Sequence, residues 1–535
     1  MARAEELYRQ RVKRTWELAQ QLTGATRNEM ARAARNAVRR VRAWRRSHGG
    51  PVREENMPHP IVTGLDEAQA VAIRLRLKEM VGASVRPAHR RRYPAGATAC
   101  HVIGRIGPVT REEMAALNPA GELSLQAELA RYLPGDLIGK GGVEKACERL
   151  LRGRRGRYWR KRRTGQVVRE VPPRPGQDVH LTLDLELQRE LAARLGRPGA
   201  VVVLDVPTGE VLAMVSLPTY DLNRYRREFP KLAADKVDLP LWNRAVAVRY
   251  PPGSTFKPLA AMAGLASGRI TPSSTFNCPG YLISPTYPAF RCWIYKRYHR
   301  GHGPLNVVGA LEHSCNVYFY KLGQKLTLPG LVRWLRLMGF ADVPGTGLPE
   351  ERPGILPDPA TVTGVGEARY LATGQGRVAV TPLHVANAMA AIARGGEFRT
   401  PLLVRELSGA QQVRRLPISA EQVHVVAEGM YRVVNSPSGT AYKYARDPEI
   451  EICGKTGTAQ TAPRRVDSNG DGRIDSRDRV VRSGDTAWFA GFAPYRKPRI
   501  AFAVVVEYAQ ASGGPTCGPI ARDVVRICRR RGYLD

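Results

Sequence analysis

The first 50 or so residues are polar and carry helical spacing, and they read as two helices split near Leu22-Thr23-Gly24, with Thr26 placed to cap the second. Arg32, Arg35, Arg39, Arg42 and Arg46 recur along that second helix as one basic stripe, suited either to anionic lipid headgroups or to plain solvation. His48-Gly49-Gly50-Pro51 breaks the pattern, and a mixed region follows to about residue 176. Within it Arg90-Arg91-Arg92 and the run Arg152 to Arg163, which also holds Gly153, Gly156, Tyr158 and Trp159, are dense in positive charge. Pro172-Pro173-Arg174-Pro175-Gly176 is the clearest linker and divides the chain into residues 1–175 and 176–535.

Beyond the linker the hydrophobic pattern changes period. Leu181 to Asp184 predicts a short strand, Leu185 to Leu195 a helix, and Gly199 to Asp205 an unbroken apolar run that fits a strand buried on both faces. Pro207-Thr208-Gly209 turns the chain, and Glu210 to Ser216 returns beside it. Long helical segments follow around 305–340 and 381–394, then strands at 450–460, 485–493 and 499–507, then a closing helix from about Ile520 to Arg530. The expected class is α/β (α+β), an antiparallel sheet flanked by helices. The longest apolar runs, Ala200 to Val206 and Ile500 to Val506, fall far short of the roughly 20 residues that a membrane span requires, and no signal peptide is evident.

The candidate chemistry begins at Tyr250-Pro251-Pro252-Gly253-Ser254-Thr255-Phe256-Lys257-Pro258, followed by the apolar run Leu259 to Leu265. The prolines and glycine end what precedes, and a helix is expected to start at Ser254 with Pro258 still in its first turn. Lys257 then lies one turn on, within reach of the serine oxygen. A serine hydroxyl is a weak nucleophile that needs a base, and a desolvated lysine can lose its proton and act as one. Ser-x-x-Lys recurs by chance in many helices, and Lys455-Thr456-Gly457-Thr458 taken alone is an ordinary strand end. With Ser314-Cys315-Asn316 between them, the three stretches follow the order of the motif set of penicillin-binding proteins and class A β-lactamases.

On these motifs the chain resembles the class B penicillin-binding proteins of the elongation type, over roughly residues 55 to 535. The likeness extends to Gly374-Gln375-Gly376, Thr381-Pro382-Leu383, Ser438-Gly439-Thr440-Ala441 and Ala487 to Pro494. Upstream it takes in Arg92-Tyr93-Pro94, His101 to Gly104, Gly142 to Lys145 and Leu181 to Asp184. The resemblance implies a penicillin-binding transpeptidase fold carried on an elongated N-terminal pedestal. It implies a peptidoglycan D,D-transpeptidase that crosslinks stem peptides through an acyl-enzyme on Ser254 and is acylated there by β-lactams. Lys257 is then the base, Ser314 a proton relay, and Asn316 a ligand of Lys257 and of the substrate amide. The amides of Ser254 and Thr458 form the oxyanion hole, and Lys455, Thr456 and Thr458 bind the donor carboxylate beside Gly457, which leaves room for substrate. No cofactor is needed for that chemistry. A septal transpeptidase shares the motifs. A β-lactamase or D,D-carboxypeptidase on the same fold does not need the long N-terminal region, and three intact motifs speak against a non-enzymatic binder.

A net charge of +35 implies an anionic environment or a solvated basic surface. No nucleic-acid fold motif accompanies the charge, so nucleic acid is not an expected partner. The resemblance points instead to a membrane glycan polymerase of the shape and elongation family and to other elongation proteins. It also places the catalytic part at the cell membrane, in the periplasm or otherwise outside the cytoplasm. A membrane anchor and short Arg-Gly and Asp-x-x-Gly stretches are expected ahead of such a chain, so the natural start is expected upstream or shortened.

Two further patterns suggest metals. Cys278, Cys292, His302 and Cys315 offer thiolates and an imidazole for a tetrahedral zinc ion, a Cys278–Cys292 disulfide being the alternative. Asp467, Asn469, Asp471, Arg473 (through its carbonyl), Asp475 and Asp478 stand at positions 1, 3, 5, 7, 9 and 12 of a calcium loop with Gly472 at position 6, the alternative being a polar hairpin turn.

Overall fold

The computed structural model describes the chain apart from residues 1, 52–54, 56, 88–90, 119–120, 122–123, 162, 363 and 535, so Arg90 of the basic run lies outside the described residues. It divides by compactness into Met1–Tyr93 and Pro94–Asp535. In the first unit the two expected helices run Ala2–Thr23 and Arg27–His48, and Thr26 forms a capping box with Glu29. Met30 and Ala37 are buried on one face of the second helix, while Arg32, Arg35, Arg39, Arg42 and Arg46 are exposed on the other. Leu18, Ile73 and Met80 make a small core.

The second unit begins with two antiparallel pairs, β1 (Arg105–Pro108) with β2 (Leu137–Gly141), and the hairpin β3 (Arg157–Arg160) with β4 (Val167–Val171). Its centre is a five-stranded antiparallel sheet built from β5 (Gly199–Asp205), β6 (Val211–Leu217), β11 (Cys453–Ala459), β14 (Asp485–Ala493) and β15 (Ile500–Ala509), in the order β11–β14–β15–β5–β6. Six smaller strands complete the numbering: β7 (Phe276–Cys278) pairs with β8 (Gly303–Leu305), β9 (Glu397–Arg399) with β10 (Val413–Arg415), and β12 (Arg464–Val466) with β13 (Arg479–Arg482).

The unbroken apolar runs are explained by two covered faces. In β5, Ala200, Val202 and Leu204 enter one core, with the helices Lys257–Ala266 and Pro382–Ala393. Val201 and Val203 enter the other, with the helices Leu185–Leu195 and Gly513–Arg530. None of the described helices is long and apolar enough to cross a membrane.

Several expected boundaries move. Leu181–Asp184 is no strand: Leu181 makes an isolated bridge to Val404, and Asp184 turns to cap the next helix through the amides of Glu186 and Leu187. The helical region expected around 305 to 340 is broken twice: Val307–Glu312 and Asn316–Leu337 are separated at Ser314 in the left-handed region (φ 51°), and the second kinks at Thr327 (φ 63°, ψ 163°). The last helix starts at Gly513 rather than near Ile520, because a Cβ on Gly513 would lie 2.1 Å from the Gly457 carbonyl oxygen and 2.3 Å from that of Trp488. Only glycine allows the helix to begin that close to the sheet.

Candidate active site

The nucleophile candidate stands in a single 3-10 turn, Gly253–Phe256, and the α-helix begins at Lys257 rather than at Ser254. Tyr250 pairs with Val380, and the Gly253 amide donates to the Gly374 carbonyl (2.9 Å). Thr255 Oγ1 donates to the Pro252 carbonyl (2.7 Å) and the Trp488 indole N–H to the Pro251 carbonyl (3.0 Å). Beneath the turn, the fully buried Arg244 guanidinium binds both oxygens of Glu507 and the carbonyls of Asp238 and Leu239, and the Tyr250 hydroxyl donates to Glu507 at 2.7 Å. A buried ion pair with its remaining hydrogen-bonding sites occupied is rigid, and this one fixes where the serine turn leaves the core.

Ser254 is half-buried, whereas Lys257 is fully buried. The Lys257 ammonium nitrogen lies 2.7 Å from the Ser314 carbonyl oxygen, 3.1 Å from Ser314 Oγ and 2.7 Å from Asn316 Oδ1. The left-handed conformation of Ser314 turns its carbonyl and hydroxyl toward the lysine together. Burial lowers the Lys257 pKa from 10.5 to about 8, although the neighbouring cysteines Cys292, Cys315 and Cys278 act in the opposite sense. Lys455, also fully buried, is pushed well below its usual value by burial and then by the charge of Lys257.

Lys455, Thr456, Gly457 and Thr458 lie on β11, the edge strand of the sheet, with Gly457 opposite Trp488 on β14. A Cβ on Gly253 would lie 2.7 Å from the Thr458 carbonyl oxygen, so the serine turn is in direct contact with this strand. A Cβ on Gly457 would meet the Pro252 carbonyl oxygen and Thr255 Cγ2 at 2.9 Å. The space above Gly457 is therefore filled by the serine turn, a structural reason for glycine beyond the substrate clearance expected from the sequence. Thr458 Oγ1 accepts from the Gly513 amide (3.0 Å), and Thr456 Oγ1 lies 3.3 Å from Thr440 Oγ1.

Sequence reasoning assigned no role to two residues here. Gln375 donates from Nε2 to the Thr458 carbonyl (3.2 Å), and Glu312 accepts from the hydroxyls of Ser436 and Ser438, tying the Ser314 turn to the loop that carries Thr440. The signal for both was already visible, since Gln375 stands in Gly374-Gln375-Gly376 and Ser438 in Ser438-Gly439-Thr440.

Cys278, Cys292, His302 and Cys315 are brought together with their donor atoms all within 4.8 Å of one another, and all eight cysteines of the chain are free. A tetrahedral zinc ion with Zn–S of about 2.3 Å sets donors about 3.8 Å apart, so the set fits. His302 Nδ1 is 3.6 Å from both Cys278 Sγ and Cys292 Sγ. Hydrogen bonds from the Cys278 and Cys315 thiols hold Cys292 far below the usual thiol range, while hydrogen bonds with Cys278 and Cys292 raise Cys315 well above it. The Asn316 amide donates to Cys292 Sγ (3.3 Å) and the Tyr318 amide to Cys315 Sγ (3.4 Å), which binds the cluster to the turn that holds Lys257.

The acidic loop joins β12 to β13 as a hairpin. Asp467 accepts from the amides of Gly470 and Gly472, Asn469 from that of Asp471, and Asp478, which is buried, from those of Ser468 and Asp475. Arg477 pairs with Asp471 and Asp475.

A half-buried serine on a 3-10 turn, a buried lysine held by a Ser-x-Asn turn, and a Lys-Thr-Gly edge strand define the class of penicillin-recognising serine acyltransferases. Residues 199–526 match the penicillin-binding protein transpeptidase domain and residues 5–181 the penicillin-binding protein dimerisation domain. The peptidoglycan D,D-transpeptidase MrdA of Escherichia coli is 32% identical over 495 residues, covering 87% of this chain and 75% of the relative. That of Acinetobacter baumannii is 34% identical over 487 residues, covering 84% and 69%. The penicillin-binding protein PBP2 of Helicobacter pylori, solved in complex with MreC, superimposes with a TM-score of 0.75 at 29% identity, covering 89% of this chain and 85% of that one. Pseudomonas aeruginosa PBP2 gives 0.66 at 30% identity, covering 84% and 93%. The chain belongs to the penicillin-binding protein transpeptidase family.

Proposed function

We propose that the chain is an elongation-type peptidoglycan D,D-transpeptidase, and the observation that carries the reading is the three-way grip of Ser314 and Asn316 on the buried Lys257 amine. In its neutral form Lys257 takes the proton of Ser254 as Oγ bonds to the carbonyl carbon of a D-Ala-D-Ala peptide bond. The amides of Ser254 and Thr458 hold the oxyanion. The C–N bond breaks, Ser314 relays the proton to the departing D-alanine amine, and the ester on Ser254 remains. A second stem peptide's amine attacks the ester, its proton leaves through the same relay, and Ser254 is restored. Lys455, Thr456 and Thr458 bind the donor carboxylate. β-Lactams acylate Ser254 by the first half of this sequence.

Residues 1–175 serve as the pedestal and 176–535 as the catalytic domain. Cys278, Cys292, His302 and Cys315 hold a structural zinc ion, and the loop Asp467–Asp478 holds a calcium ion; neither takes part in acyl transfer. A solved PBP2 with MreC and a peptidoglycan synthase complex among the similar structures support a membrane glycan polymerase as partner, at the outer side of the cytoplasmic membrane. The test is incubation with uncrosslinked glycan strands bearing pentapeptide stems. Release of D-alanine matched by crosslinked dimers supports the reading, and release without dimers indicates a carboxypeptidase.

A further inference from the structure

Between Asp238 and Glu312 the chain contains no acidic residue, although this stretch includes the serine turn and most of the Cys/His cluster. Its most exposed part is Lys296-Arg297-Tyr298-His299-Arg300, all five residues open to solvent. Arg297 and Arg300 both lie over the Tyr298 ring, at 5.3 and 5.6 Å, and Tyr298 is 51% exposed. Among the described residues, none of Arg291, Lys296, Arg297 and Arg300 forms an ion pair, in contrast to Arg526, Arg529 and Arg530 of the C-terminal helix.

This run is short and anchored at both ends. Cys292 precedes the helix Trp293–Tyr298, and His302 returns the chain to within 3.6 Å of the Cys292 sulfur. The helix start touches the catalytic turn: Trp293 Nε1 donates to the His313 carbonyl (2.9 Å), and the Asn316 amide donates to Cys292 Sγ (3.3 Å). At the far end His299 adopts the left-handed conformation (φ 52°), and Gly301 packs so tightly that a Cβ would lie 2.0 Å from the Cys278 carbonyl oxygen. Six helical residues rise about 9 Å, so the cationic tip stands on a fixed knuckle within one short helix of the Ser314 turn.

We infer that Lys296, Arg297 and Arg300 with Tyr298 form an exosite that binds carboxylates of the peptidoglycan strand outside the cleft that takes its D-Ala-D-Ala end. The inference rests on the transpeptidase reading above. Stem peptides carry free carboxylates along their length, guanidinium pairs bind carboxylate in a fork, and the tyrosine face suits the apolar edge of a peptide or sugar. Contacts remote from the reacting bond hold a large substrate in place for reaction. A penicillin carries neither the glycan strand nor the rest of the stem peptide, so its reaction with Ser254 reads the chemistry apart from this surface. Closeness to the catalytic turn favours the substrate strand over a lipid surface or an acidic protein.

The test compares the full chain with the K296Q/R297Q/R300Q variant, using soluble glycan strands whose pentapeptide stems carry either free or amidated carboxyl groups. The expected result is a KM for free-carboxyl strands raised about tenfold in the variant, with kcat and the rate of penicillin acylation within about twofold of the parent. Amidated strands should show little difference between the two proteins, and raising the ionic strength should erase the gap. R297K/R300K, which keeps the charges but loses the fork, should fall between the parent and the triple variant in KM. An unchanged KM overturns the inference, as does a fall in crosslinking matched by an equal fall in acylation, which would mark a structural role. Loss of binding to phosphatidylglycerol vesicles with unchanged crosslinking would assign the knuckle to lipid and also overturn it. Failure of the parent protein to form a penicilloyl adduct would instead strike the transpeptidase reading itself.

Discussion

At Cys278, Cys292, His302 and Cys315, donors separated along the chain meet beside the catalytic turn, whereas Asp467 to Asp478 offers donors from twelve consecutive residues, most of them exposed. In the first set the donors face one another, and backbone amides of the Ser314–Tyr318 segment already point at the sulfurs. In the second, the carboxylates are occupied by the loop's own amides and by Arg477. The local motif is stronger in the loop, yet the fold contributes more to the cluster. A metal bound at a buried, convergent site acts on whatever its ligands hold in place; one bound in an exposed hairpin acts mainly on that hairpin.

The largest expected effect therefore comes from the cluster. Cys292→Ser, or a strong chelator, should remove about one equivalent of zinc, lower Tm by about 5–10 °C and slow penicillin acylation at least tenfold, because the ion no longer fixes the position that the Asn316 amide binds at residue 292. Metal analysis beside stopped-flow acylation reads both quantities. Full activity in the zinc-free protein would break the comparison.

A second effect appears in pH. Burial favours the neutral amine of Lys257, which is the form that accepts the serine proton, so acylation should rise with pH through a midpoint near 8 and fall as pH drops below it. Negative charge on Cys292, Cys315 and Cys278 opposes that shift. Cys292→Ser should accordingly move the midpoint down, while Asp478→Asn should leave it in place. A midpoint that follows the loop variant instead would invert the assignment.

The smallest effect belongs to the loop. Calcium titration should release measurable heat that Asp478→Asn abolishes, with Tm changing by less than about 2 °C and acylation by less than about twofold. An isothermal titration of the parent without calcium heat would remove the ion and leave a polar hairpin.

The same contrast governs what the sequence made legible. Ser254, Lys257, Ser314, Asn316 and Lys455 to Thr458 could be singled out as candidates because each motif is short and its chemistry demands those residue types in that order, and the structure gathers Lys257, Ser314 and Asn316. Strands β5, β14 and β15 were readable from unbroken apolar runs. What escaped depends on residues far apart in the chain. Leu181 looked like a strand residue, but Thr182 spends its amide on Leu403, and Asp184 is needed as a cap. The closing helix is expected only from about Ile520, and only contact with Gly457 and Trp488 shows why it begins at Gly513. Glu312, Gln375 and the Arg244–Glu507–Tyr250 set act by contacts across many tens of residues, which periodicity does not reveal.

The central claim is that Ser254 is the acyl carrier, activated by a lysine that Ser314 and Asn316 hold. Intact-protein mass spectrometry after incubation with a penicillin, followed over several hours for the parent chain and for Ser254→Ala, tests it directly. The account predicts one penicilloyl group on the parent that persists as free drug is exhausted, and none on the variant. An adduct on the variant, or one on the parent that disappears as the drug is hydrolysed, would contradict it.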